Sequence, residues 1–160
     1  MAMALGAAFD AQLLVFGLVV LLLESSSVHY ANEYADYETD ALTQRTLFSG
    51  GSGALPGSTV PRWVALRAGW VSLAAGSLNA LFGWATGALN TTALFLLALG
   101  TFLGWMYSLP PMALAWKGWG ELDNAVIGGM VLPLFGFAAL AGRSTFLLQL
   151  PVPRWWRSSF

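Results

Sequence analysis

Residues 13–40 read LLVFGLVVLLLESSSVHYANEYADYETD: an apolar run, roughly Leu13–Leu23, then a polar segment that keeps helical spacing. Asn32, Asp36 and Asp40 stand at i, i+4 and i+8. On a helix they form one polar stripe, with neighbouring Cβ atoms about 5–6 Å apart. Two carboxylates stacked in this way repel each other unless a cation lies between them. An amide and two carboxylates on one face, at the end of an apolar helix, describe a site for a hard divalent ion, with Asn32, Asp36 and Asp40 as its candidate ligands. The plainer reading is a solvated helix end at a membrane surface.

The rest of the chain sets the solvent. Its 160 residues are 57% hydrophobic and 9% charged, against about 25% charged in soluble domains. Mean hydropathy is +0.65. Four apolar segments are long enough, or nearly so, to cross about 30 Å of hydrocarbon as helices of about 20 residues. A transmembrane β-barrel needs short alternating segments instead, and these runs are continuous. The expected fold is therefore all-α integral membrane, a single domain over residues 1–160. A net charge of −1 argues against nucleic acid as a partner, and the lack of cysteine excludes disulfides and thiol catalysis. No basic stretch of a signal peptide precedes the first apolar run, so that run is expected to stay as a membrane helix.

Helix one is expected from about Ala4 to Asp40. A carboxylate near mid-membrane costs about 2.5–3.5 kcal/mol. Glu24 should therefore face protein or water, and it reads as a structural carboxylate bonded to Ser or Trp. Glu24, Val28, Asn32, Asp36 and Asp40 repeat every four residues, a seam that deepens from the membrane surface toward Glu24. His29 reads as an interfacial polar residue. A loop, roughly Ala41–Val60, carries Arg45 and a Ser49-Gly50-Gly51-Ser52-Gly53 run. That run lacks Walker spacing, so a flexible linker stands beside a phosphate-binding reading.

Helix two is expected over Pro61–Trp84 and helix three over Thr91–Leu109, where Gly100 and Gly104 allow close helix contact. Pro110 and Pro111 end helix three. Helix four follows over Leu122–Ala141, with Glu121 and Asp123 suited to capping its start. The tail, Gly142–Phe160, holds Arg143, Arg154 and Arg157. Arg45, Arg62, Arg67 and Lys117 place both long loops on the cytoplasmic side, although the tail arginines then break the rule.

These residues carry a resemblance. Asn32–Asp40 resembles the first aspartate-rich motif, N-D-x-x-D-x-x-x-D, of the UbiA superfamily of intramembrane prenyltransferases. Thr39–Gly51 is similar to the family's loop after that motif. Tyr107–Glu121 resembles the Y-S/T-x-P-P loop with a G-x-G-E end, common in the branch that prenylates 1,4-dihydroxy-2-naphthoate. The match covers roughly Leu13–Leu140. It implies a partial UbiA-type helical bundle, the family's second to fifth helices, embedded in the lipid bilayer. It also implies Mg2+-dependent transfer of a prenyl group from an isoprenoid diphosphate to a lipophilic aromatic acceptor, a quinone precursor of the menaquinone type.

Carried over by position, Asp36 and Asp40 would be catalytic and would hold the metal together with Asn32. Asn32, Arg45, Tyr107 and Lys117 would contact the diphosphate. Tyr34, Tyr37, Trp84, Trp105 and Trp116 are candidates to shield a carbocation-like carbon. The chain also departs from the pattern. Glu33 stands where the family has Asp, and Ala113 and Ala115 stand where basic residues are usual. No acidic residue follows Asp123, so a second aspartate-rich motif is missing. A homo-oligomer or a second polypeptide would have to supply it. Two classes of function therefore stay open: the enzyme, and a non-catalytic membrane binding or assembly subunit that retains the diphosphate half-site. A cation transporter using Glu24, Asp36 and Asp40 is a third.

Overall fold

The computed structural model describes residues 10–42, 55 and 58–147, with side chains described as far as residue 140. All regular structure among these is helical: α1 (Ala11–Ala35), α2 (Tyr37–Leu42), α3 (Trp63–Ala85), α4 (Thr91–Ser108), α5 (Gly120–Val126) and α6 (Leu132–Leu147). A 3₁₀ turn covers Ala115–Lys117, and a π-helical turn over Ile127–Val131 joins α5 to α6. Arg45, the Ser49–Gly53 run, the start expected at Ala4 and the tail residues Arg154 and Arg157 lie outside the described residues.

The all-helical membrane bundle expected from composition is what forms. Among the described residues, three helices are long and apolar enough to cross a membrane: Ala11–Ala35, Thr91–Ser108 and Gly120–Leu140. The fourth expected span, α3, has 23 residues and so a length of about 34 Å at 1.5 Å per residue. Its Trp63, Arg67, Trp70, Ser77 and Asn79 lower its hydropathy. Helix one is corrected too. It bends at Asp36, which separates α1 from α2.

Packing follows from where small residues fall. On α1 the buried positions are Leu13, Gly17, Val20, Glu24, Ser27 and Ala31, spaced by three and four and so on one face. That face makes its most extensive contact with α3, which presents Ala65, Gly69, Gly76, Ala80 and Gly83. Small residues let helix backbones approach where lipid gives no hydrophobic drive. A Cβ added at Gly69 would lie 3.3 Å from the Ser27 carbonyl oxygen. On α4, Gly104 abuts Val28 of α1, while Gly100 faces Val131 in the π turn. The two glycines of α4 thus serve two different neighbours.

The ends of the helices are tied as well. Asn90 caps α4 by accepting from the Ala93 N–H (2.7 Å), and its amide donates to the Ala138 carbonyl (2.9 Å) on α6. Asp10 caps α1 through the Leu13 N–H (2.9 Å). Outward, Val15, Leu22, Leu78, Phe82, Phe95 and Met130 stay exposed, as a lipid-facing surface requires. The long helices α1, α3, α4 and the joined α5–α6 alternate in direction. The α1–α2 bend, the start of α3 and the Leu109–Trp119 loop therefore share one end of the bundle.

Candidate active site

Mid-bundle, side chains of α3 and α4 converge on Glu24 of α1, which is 4% exposed. Its Oε1 accepts from Ser77 Oγ of α3 (3.0 Å) and its Oε2 from Thr101 Oγ1 of α4 (3.1 Å). One turn on, Ser27 Oγ donates to the Glu24 carbonyl (2.6 Å) and accepts from Trp105 Nε1 (3.1 Å). Glu24 is thus a structural carboxylate bonded to Ser, as its insertion cost demanded, with a Trp one link away. Gly76 makes room for it: a Cβ there would lie 2.8 Å from Oε1.

This knot borders a cavity of about 530 Å³ between α1, α3 and α4, walled by Trp70, Leu73, Leu97, Phe102 and Trp105. The volume is that of a small-ligand site, mostly apolar with few polar groups. The Trp70 and Trp105 rings lie 4.7 Å apart, tilted by 51°. Of the proposed shielding aromatics, Trp105 lines this cavity. Trp84 and Trp116 are exposed, at 49% and 60%, and so on its outer side is Trp70, at 56%; Trp84 donates to Thr91 at the far end of the bundle. Trp70 went unremarked in the sequence because one Trp among eight carries no local signal. A smaller cavity of about 130 Å³ lies between α1, α4 and the π turn, touching Glu24, Val28, Thr101 and Ile127.

Twelve residues beyond Glu24, about 18 Å along the axis, lies the acidic stripe. The Asp36 N–H donates to the Asn32 carbonyl (2.9 Å) and the Asp40 N–H to the Asp36 carbonyl (2.8 Å). The i, i+4 relation of the three residues therefore survives the bend. Thr39 Oγ1 also donates to the Asp36 carbonyl (2.8 Å). Burial raises the pKa of the Asp36 carboxyl from its ordinary value, and the charges of Asp40 and Glu33 raise it further. Glu33, met in the sequence only as a departure, thus belongs to the same acidic group. His29 is exposed, and its Nε2 lies 3.9 Å from Glu33 Oε1.

Basic and loop residues approach from the other elements. Arg62, used in the sequence only to orient the loops, pairs with Glu38 (3.0 Å) and sits 5.2 Å over the Tyr34 ring. The available signal was topological: the end of α1 and the start of α3 share a membrane face. Arg67 lies 4.3 Å over the Trp63 ring. Tyr107 packs beneath Gly120, where an added Cβ would come within 3.0 Å of its ring. Lys117 is exposed, and its Nζ donates to the Pro111 carbonyl (3.3 Å). Ala113 holds a φ of +43°, a left-handed conformation that costs about 1–2 kcal/mol for a non-glycine residue. Glu121 and Asp123 lie in the first turn of α5, but no side chain caps that helix.

Among the described residues, no three His, Asp or Glu side chains converge to hold a metal by themselves. Of the three residues singled out in the sequence, Asn32 has an Oδ1 that is buried without a hydrogen-bond partner. An orphaned amide oxygen beside crowded carboxylates fits magnesium, which takes one or two carboxylates and completes its octahedron with substrate phosphates and water.

The chain matches the family model described as the UbiA prenyltransferase family over residues 1–157. It belongs to that family. No match was found among curated proteins or among solved structures. UbiA membership and the three apolar spans make it an integral membrane protein. Membership also brings prenyltransferase chemistry, with isoprenoid diphosphates and lipophilic acceptors as the substrate classes.

Proposed function

We propose that this UbiA-family protein transfers a prenyl group from an isoprenoid diphosphate to an aromatic quinone precursor, with magnesium at Asn32, Asp36 and Asp40. One observation carries the reading. The charges of Asp40 and Glu33 crowd Asp36 beside the orphaned Asn32 Oδ1, at the end of a bundle that holds a large apolar cavity. The Y-S-x-P-P loop and its Gly118-Trp119-Gly120-Glu121 end favour a dihydroxynaphthoate-type acceptor. In this reading both loops face the cytoplasm.

Magnesium, when bound, neutralises charge that develops on the leaving diphosphate. The protein's own part is positioning. The Asn32–Asp36–Asp40 stripe orients the diphosphate, Arg45 and Lys117 contact it from the loops, and Tyr107 contacts it from the end of α4. Arg62, already at the acidic end, adds positive charge there. As the allylic C–O bond breaks, its electron pair leaves with the diphosphate, and a ring carbon of the acceptor attacks the allylic carbon and then loses its proton. The buried Trp105 ring presents its face to the cation-like carbon, with Trp70 tilted against it, and aromatic faces attract such a centre.

A second reading is a diphosphate-binding subunit without turnover, with a second copy or another polypeptide completing the site. It is favoured by the lack of a three-acid group among the described residues. Labelled diphosphate binding, with magnesium or EDTA and with Asp36→Asn alongside, separates the two. Binding without product supports the subunit, and binding with product supports the enzyme.

A further inference from the structure

α1 carries a second face that no described residue covers. Val15, Leu18, Leu22, Ser25 and His29 follow one another at alternating intervals of three and four, the spacing of a seam between two helices. All five are exposed, Val15 at 59%, Leu18 at 47% and Leu22 at 65%. The buried positions Leu13, Val20, Glu24, Ser27 and Ala31 lie on another face. The same intervals carry the seam on through Asn32 to Asp36. Ser25 stands just past Leu23, the middle of α1. Among the described residues neither Ser25 nor His29 makes a side-chain hydrogen bond. Glu33 lies 3.9 Å from His29 Nε2, too far for one. Leu22, Ser25, Ser26, His29 and Tyr30 line a hollow of about 380 Å³, which opens where the small Ser25 sits between larger side chains.

We propose that a second copy of this chain packs on the seam, α1 against α1, and brings a second acidic stripe to the same end of the membrane. Copies inserted alike run parallel, so a two-fold axis along the membrane normal sets Ser25 beside its counterpart and His29 one turn further. Val15, Leu18 and Leu22 alone would suit lipid. Ser25 and His29 do not, since lipid tails offer neither donor nor acceptor. A hydroxyl and an imidazole can each donate and accept, so two identical faces satisfy each other across the axis. Leu22 of one copy then fills the hollow at Ser25 of the other, as a knob fills a hole. The bend at Asp36 ends α1 and with it the seam, so close pairing stops before Asp40. A single copy holds no group of three His, Asp or Glu among its described residues, and two copies supply Asp36 and Asp40 twice. Only that consequence rests on the diphosphate reading; the pairing itself does not.

The chain has no cysteine, so single introduced thiols report the seam. The full chain carrying Leu18→Cys, Ser25→Cys or, on the outer face of α3, Leu78→Cys is reconstituted in liposomes at high lipid excess and oxidised with copper phenanthroline. Leu18→Cys and Ser25→Cys should give disulfide-linked dimers. Leu78→Cys, equally open at 67% exposure, should not. Resonance energy transfer between copies labelled at the Leu78→Cys thiol with donor and acceptor dyes then measures association without a cross-link. Ser25→Ala together with His29→Ala should weaken that association about tenfold. Equal linking at all three positions, no transfer beyond that of unpaired copies on dilution with lipid, or unchanged association in the double variant would overturn the inference. If Ser25→Cys fails to insert, Leu18→Cys decides. Seam-linked dimers of a chain that transfers no prenyl group would uphold this inference and sink the enzyme reading. Prenyl transfer by a chain that stays monomeric would do the reverse.

Discussion

Gly104→Ala probes the contact that sets the width of the site. A Cβ at position 104 would lie 2.7 Å from Val28 Cγ2 and 2.8 Å from Cγ1, but 3.4 Å from Val28 Cβ. Carbon atoms pack at about 3.5–4.0 Å, so each methyl overlaps by roughly 0.8 Å. Valine in a helix keeps one χ1 rotamer, and turning it would exchange one overlapping methyl for the other. α1 and α4 must therefore part by something near the overlap, at a cost of about 1–3 kcal/mol. The parting occurs one turn from Asn32, where a displacement of about 1 Å costs about 100-fold in rate. Val28→Ala removes both offending methyls and leaves the 3.4 Å contact. Alone it should cost about 1 kcal/mol in lost packing. Combined with Gly104→Ala it should cost little more, a favourable coupling of about 1–3 kcal/mol. Thermal unfolding of the four proteins in one detergent, with diphosphate binding on each, measures the cycle. A Gly104→Ala protein as stable as wild type, or strictly additive effects, would refute the packing argument.

Glu24→Ala leaves the Ser77 and Thr101 hydroxyls without their acceptor and should lower unfolding stability by about 2–4 kcal/mol, with Glu24→Gln milder; thermal unfolding checks both. Arg62→Ala breaks an exposed pair and should change stability by less than about 1 kcal/mol, yet weaken diphosphate binding, as read by titration with labelled substrate. Asp36 makes the metal-free protein and its metal complex respond to pH in opposite senses. Its raised folded pKa means the folded chain holds this proton more tightly than the unfolded one, whose value is near 3.8. That stabilisation is complete below the unfolded value and is lost as pH rises through the folded one. Magnesium needs the carboxylate, so its affinity falls as pH drops through the same folded value. Asp40→Asn should move that midpoint to lower pH, and Mn2+ titrations across pH read the shift.

What was legible in the sequence was local. The apolar run before Glu24 and the four-residue repeat through Asp40 are both helix-period signals, so the helices and the acidic stripe could be read directly. The kind of partner Glu24 would find followed from the cost of burying it. Its actual partners, Ser77 and Thr101, lie 53 and 77 residues away, and no local pattern marks them. The bend at Asp36 has neither Gly nor Pro to announce it. Asp123 suited a helix start by charge and position, and only its burial separates it from a solvated end. Arg62 reached the acidic end through topology, since 24 residues separate it from Glu38.

The most direct test of the central claim is prenyl transfer by the purified chain in nanodiscs. It would be supplied with labelled geranylgeranyl diphosphate and dihydroxynaphthoate, with magnesium or EDTA, beside Asp36→Asn. Product that requires magnesium and disappears in the mutant is the predicted result. Product formed equally by Asp36→Asn, or diphosphate binding indifferent to both magnesium and Asp36, would contradict it.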